Sequence, residues 1–227
     1  MNAGGDGLFV ALETSSRSPQ IAVRRGATTL CRSLESARAH ASDLVPTLAR
    51  LVEELGGRPT DLAAIVVGLG PGSYTGLRVG AATGIGLARG SGAVLLGVPS
   101  LEALALGALQ PGEVGQVLLD ARSGELYFAS YRRAGDSVEV VEAPCVLRAA
   151  EVPTRIDRGL KLLAEDDALR AGGLFDAPPP SLERSTRPRA DALLELGLAR
   201  WRAGTLQPAT TLEPLYLRGF AASSRRR

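Results

Sequence analysis

The stretch VVGLGPGSYTGLRVGAATGIGLARG, residues 66–90, holds eight glycines and one proline. Its first residues close an apolar run, LAAIVVG, that reads as a buried strand, and residues 79–88 read as an apolar helix closed by Arg78 and Arg89. A strand, a glycine-rich turn and a helix in that order are the unit of an α/β fold. Gly72, Gly76, Gly80 and Gly84 recur at every fourth position. Each glycine inside a helix costs roughly 1 kcal/mol against alanine, so something must offset the loss. Residues at i, i+4 and i+8 share a helical face, and Gly76, Gly80, Gly84 and Ala88 therefore form a smooth strip. Either the chain's own sheet or a partner protein can approach such a strip closely. The sequence leaves both neighbours open.

The turn itself, GLGPGSYTG, sits where unpaired backbone N–H groups and the helix dipole favour an anion. That makes Gly70, Gly72, Ser73 and Thr75 candidate phosphate-binding residues. No Lys-Ser/Thr pair follows, so it is not a Walker A loop, and it lacks the G-x-G-x-x-G spacing. Pro71 and Thr75 stand where a nucleophile elbow around Ser73 needs glycine. A plain turn with Ser73 or Thr75 as helix cap is the simpler reading.

Outward from this stretch, LFVAL, PQIAVRR and TTLCRSL read as three strands joined by short turns. HASDLVPTLARLVEELGG follows with leucines at helical spacing, and AVLLGV and SLEALALGAL supply another strand and helix, the latter with Ser100 as cap. The order is βββαβαβα. After QPGEVG the pattern restarts: GQVLLDARSGELYFASYRRAG echoes LFVALETSSRSPQIAVRRG, with Asp120 and Glu13 in corresponding places at the end of a first strand. Two lobes are expected, residues 1–109 and 110–227 with a boundary near 107–112. The C-terminal lobe is expected to be a reduced copy: one weak helical segment, a proline-rich loop, a helix over 190–202, and a disordered basic tail.

Composition narrows the function. A net charge of +2 over 227 residues shows no dense basic face for independent nucleic-acid binding. Cys31 and Cys145 match no metal spacing, and no signal peptide or membrane span is visible, so a cytoplasmic protein is expected. His40 is the only histidine. That excludes a paired-histidine metal site within one chain and with it a metallopeptidase of that type. Glu13 and Thr14, beside Ser15 and Ser16, could instead serve the acid-plus-hydroxyl loop of a two-lobed phosphotransferase, with the GPGSYTG turn and Asp120 around a magnesium nucleotide. A solvated strand end is the commoner meaning of such a cluster.

HASDLVPTL, GLGPGSYTGLRVG, GVPSLEALA, LLDARSGELYF and LEPLYLR, taken together and in this order, resemble the bacterial TsaB (YeaZ) family. The resemblance covers nearly the whole chain and implies an actin-like (ASKHA, ribonuclease H-like) α/β fold of two lobes. It implies a non-catalytic partner of TsaD, the enzyme that transfers threonylcarbamoyl to the adenosine next to the anticodon of tRNAs reading codons that start with A. It also implies association with TsaE, a homodimer when free, tRNA contact only through the complex, and no cofactor of its own beyond ATP or ADP at the junction with TsaD and TsaE. In that family the first two helices make the partner contact. The implied interface residues are His40, Asp43, Leu44, Thr47, Leu51, Tyr74, Gly76, Arg78, Gly80 and Gly84. Glu13 stands where the family usually carries aspartate. The alternative to this resemblance is a small actin-like kinase or phosphotransferase acting alone.

Overall fold

The computed structural model describes residues 7–34, 43–184 and 186–217. Strand β1 (Leu8–Glu13) is buried on both faces, which places it inside a sheet rather than at an edge. Its neighbours are β2 (Gln20–Arg25), antiparallel, and β4 (Leu62–Gly68), parallel. The edges are β3 (Thr28–Ser33) and β5 (Val94–Val98), giving the order β3-β2-β1-β4-β5. Leu8, Val10 and Leu12 of β1 join one apolar cluster with Ile65 and Val67 of β4. The alternate residue Ala11 joins another cluster with Ala64 and Val66. That period of two sorts the sheet into a face with large residues and a face with smaller ones.

The large-residue face carries α1 (Leu44–Glu54) and α2 (Tyr74–Ser91). On the other face lie α3 (Ser100–Ala108) and, from the far end of the chain, α6 (Ala190–Arg202). Beyond α3 and α6 lies another sheet, built from β6 (Val114–Arg122), β7 (Glu125–Ala134), β8 (Ser137–Arg148), β9 (Lys161–Ala164) and β10 (Leu182–Arg184). The short helices α4 (Val152–Arg155) and α5 (Asp166–Ala171) cover its outer side. The layers are therefore helix, sheet, helix, sheet, helix.

This C-terminal sheet runs β8-β7-β6-β9-β10, with β6 antiparallel to β7 and parallel to β9. It repeats the first sheet position for position, and the C-terminal half is again βββαβαβα. The expected reduction of that lobe thus lies in its helices and not in its sheet. KLLA and LER are too short to show a period, and they are held as strands by neighbours far off in the sequence.

The expected division at 109/110 falls between the two sheets. Packing does not follow it, because α6 lies against β1, β2, β4 and β5 of the first sheet. Gly197 makes this possible: a Cβ there would lie 2.6 Å from Val66 Cγ1. In the same central layer Arg200 forms an ion pair with Glu102 at 2.5 Å and donates from Nη2 to the Val138 carbonyl at 3.3 Å. Residues 205–217 then form a strap along the open edge of β5. The Ala209 N–H donates to Leu95 O, and the Leu215 N–H to Leu69 O, each at 2.8 Å. Pairing of this kind blunts an edge that would otherwise invite another strand. The tail beyond residue 217 lies outside the described residues.

Candidate partner-binding face and interlobe cleft

The Gly76–Gly84 strip faces inward. All three of its glycines are buried. A Cβ on Gly80 would lie 2.2 Å from Thr14 Oγ1, and one on Gly84 2.5 Å from Val67 Cγ2. The glycine cost is offset by close helix-on-sheet packing within this chain. Leu44 and Leu51 are likewise core residues, at 0% and 1% exposure. Gly76, Gly80, Gly84, Leu44 and Leu51 therefore contribute no outward surface, contrary to the reading that placed them at a partner contact. Their faces are consumed by the chain's own core. Asp43, Tyr74 and Arg78 are exposed and Thr47 is half-buried; His40 lies outside the described residues.

The outward face of α2 carries a different strip. Arg78, Ala82, Gly86 and Gly90 recur at every fourth position, all exposed, and a Cβ on Gly86 or Gly90 would meet nothing within 4 Å. These glycines carry the same propensity cost with no offset among the described residues. The signal was present in the sequence as another register of small residues, two positions away from the first. Only burial tells the two registers apart. At the head of this strip Tyr74 and Arg78 meet Tyr216 of the strap.

The GPGS turn is shaped by its own chain. Gly70 has φ +89°, and a Cβ on Gly72 would lie 2.3 Å from the Ser15 carbonyl oxygen. Ser73 caps α2, its Oγ accepting the Gly76 N–H at 3.3 Å, while its N–H donates to Ser15 O at 2.7 Å. Ser100 is the first residue of α3 rather than its cap. Its Oγ accepts the Gly70 N–H at 3.1 Å, holding the turn against the start of α3.

The turn forms one wall of a cleft of about 540 Å³ between the sheets, facing Asp120, Arg122 and Glu165. Gly72, Ser73 and Thr75 line it with Ser15 and Ser16, but Gly70, Glu13 and Thr14 do not. Across its mouth Arg17 bridges Asp120 at 3.3 Å and Asp167 at 3.1 Å. Burial raises the pKa of Glu165 in this wall; Arg17 opposes that shift.

Glu13, the acid expected to face a phosphate or metal, is fully buried behind the turn. Its Oε1 accepts the Ser15 N–H at 2.8 Å. Desolvation pushes its pKa above the ordinary carboxylate range, and hydrogen bonds from Ser15 and Ser100 oppose this. The folded state thus holds the proton more tightly than the unfolded state. The associated stability is present in full below the unfolded pKa and is lost as pH rises through the higher folded value. Glu13→Gln cannot ionise, so its melting temperature should exceed that of the wild type increasingly as pH rises, with little difference in acid. Thermal melts across that range check this, and a difference that does not change with pH contradicts it.

Known proteins share this arrangement of strands and helices. A family model described as TsaD, tRNA N6-adenosine threonylcarbamoyltransferase, matches residues 34–189. The tRNA threonylcarbamoyladenosine biosynthesis protein TsaB of Bacillus subtilis is 30% identical over 165 residues, covering 71% of this chain and 72% of that protein. The chain belongs to the TsaB (YeaZ) family. The TsaB of Escherichia coli is 28% identical over 225 residues, 94% of this chain and 96% of that one. The solved structure of YeaZ from Pseudomonas aeruginosa matches with a TM-score of 0.80 at 27% identity, covering 93% of this chain and 100% of that one.

Within a TsaB frame, the segments that carry the resemblance serve the chain's own architecture before any partner. GLGPGSYTGLRVG packs α2 on its sheet. GVPSLEALA starts α3 beneath that turn, and LLDARSGELYF forms the hairpin of β6 and β7 through Arg122 and Ser123 at positive φ. LEPLYL, residues 212–217, is the end of the strap, whose place beside α2 no local pattern announced.

Proposed function

We propose that this chain serves tRNA threonylcarbamoyladenosine biosynthesis as a non-catalytic association subunit that binds TsaD and supports its transfer of threonylcarbamoyl to tRNA. The observation that carries this reading is the open small-residue strip Ala82–Gly86–Gly90 on the outermost helix layer. A helix of another protein can approach its backbone closely, and nothing in the described chain occupies it. The burial of Glu13 supports the same reading against a phosphotransferase, because the acid at the end of β1 is shut away from the cleft and its Oε1 accepts the Ser15 N–H of its own loop. In this account TsaE joins the TsaD complex, tRNA is met only in the assembly, and ATP or ADP belongs to the junction of the three proteins. The free chain pairs with another copy of itself through the same face, so the two associations compete.

Reconstitution tests this. The purified chain should leave unmodified tRNA unchanged, and adding it to TsaD with TsaE, ATP and the threonylcarbamoyl donor should restore modification. Modification by this chain without TsaD would overturn the proposal.

A further inference from the structure

The head of the α2 strip is built by the strap. Arg78 lies with its guanidinium carbon 4.1 Å above the Tyr74 ring, and its Nε donates to Tyr216 Oη at 3.3 Å. The two tyrosine rings stand 5.4 Å apart at 40°. All three side chains are exposed, Tyr74 at 39% and Tyr216 at 42%, and Arg78 makes no ion pair with any described residue. Several arginines of this chain lie against a carboxylate, among them Arg17, Arg24, Arg32 and Arg200. Arg78 instead is held between aromatic groups on the open face of its helix. Stacking restricts a guanidinium whose rotamer entropy would otherwise be lost on binding, and tyrosine and arginine in contact are the residue types that dominate interface energetics. The cluster is continuous with Ala82, Gly86 and Gly90 along one helix face.

We infer that the strap is part of the docking surface. Tyr216, delivered from the end of the chain, pre-positions Arg78 to take a carboxylate from a partner helix that lies along Ala82–Gly86–Gly90. This rests on the association role proposed above and names what the partner must present: a helix with a small-residue or open contact face and an acidic side chain near the N-terminus of α2. The two backbone hydrogen bonds that tie the strap to Leu95 and Leu69 fix Tyr216 independently of its ring. Removing the ring therefore leaves the strap in place.

Calorimetric titration of cognate TsaD into the wild type and into Tyr216→Ala, Tyr216→Phe, Arg78→Ala and Gly86→Gln tests the inference. Tyr216→Ala and Arg78→Ala should each weaken binding about tenfold or more, as anchor residues do. Tyr216→Phe, which keeps the ring against Tyr74 but removes the acceptor of Arg78 Nε, should weaken binding by an amount between those of the wild type and Tyr216→Ala. Wild-type affinity should fall with rising salt, and that dependence should shrink in Arg78→Ala. Wild-type affinity in Tyr216→Ala, with binding lost in Gly86→Gln, would place the strap outside the surface and overturn the inference while leaving the association role standing. Unchanged affinity in every variant would overturn both. Melting temperatures of Tyr216→Ala and Arg78→Ala equal to that of the wild type exclude a loss of fold as the cause.

Discussion

Gly84→Leu is expected to unfold the protein or leave it severely destabilised. The Cβ alone would stand 2.5 Å from Val67 Cγ2 and 3.5 Å from Leu95 Cδ1, and the rest of the side chain would have to enter the layer between α2 and its sheet. Overpacking commonly costs roughly 1–3 kcal/mol, and the whole leucine side chain in a closed gap belongs at or above the upper end. Gly80→Leu should behave the same way, since Thr14, which it would strike, is itself fully buried. Urea denaturation measures the loss. A folded Gly84→Leu variant of near wild-type stability would show that α2 does not sit against its sheet as described.

The other large effect concerns the central layer. Glu102 lies on α3 and Arg200 on α6, and their ion pair joins the two helices that the sheets enclose. Removing one member of a buried pair leaves the other charge without a partner in a poorly solvated place, which costs about 3–5 kcal/mol. Glu102→Ala should fall near the lower limit, about 3 kcal/mol, because the Arg200 side chain keeps 22% of its surface in contact with solvent. Tyr131, whose hydroxyl burial holds protonated well above its usual pKa, sits beside the pair and cannot replace the lost charge. Replacing both partners with apolar residues, Glu102→Leu with Arg200→Met, should recover most of the loss. Equal stability of Glu102→Ala and the wild type would mean the pair contributes nothing to holding the lobes together.

Much of the architecture was legible because it rests on local periodicity. The alternation in PQIAVRR and the leucine spacing after HASD carry their own directions, and the echo between Glu13 and Asp120 marked the repeated half. What stayed hidden depends on distant neighbours. KLLA becomes a strand because β6 and β10 flank it, and α6 crosses to the first sheet because Gly197 admits Val66. Of the candidate site, the family resemblance named Tyr74 and Arg78, whereas no local pattern pointed to Tyr216, which meets them only through the strap. The glycines show the limit most clearly. Gly80 and Gly86 are alike in composition and helical context, yet one lies against Thr14 and the other against none of the described residues. A sequence records that a helix tolerates glycine, not which side of it is covered.

The central claim is that association runs through the uncovered side. Light scattering coupled to size exclusion, on the chain with its cognate TsaD and on Gly86→Gln with the same partner, tests it most directly. Gly86→Gln should fold at least as well as the wild type, since its Cβ meets open space and glutamine is the better helix former. The account predicts a mass equal to one copy of each protein for the wild type and two separate masses for the variant. A wild-type mixture that stays separate, or a Gly86→Gln complex of undiminished mass and stability, would contradict it.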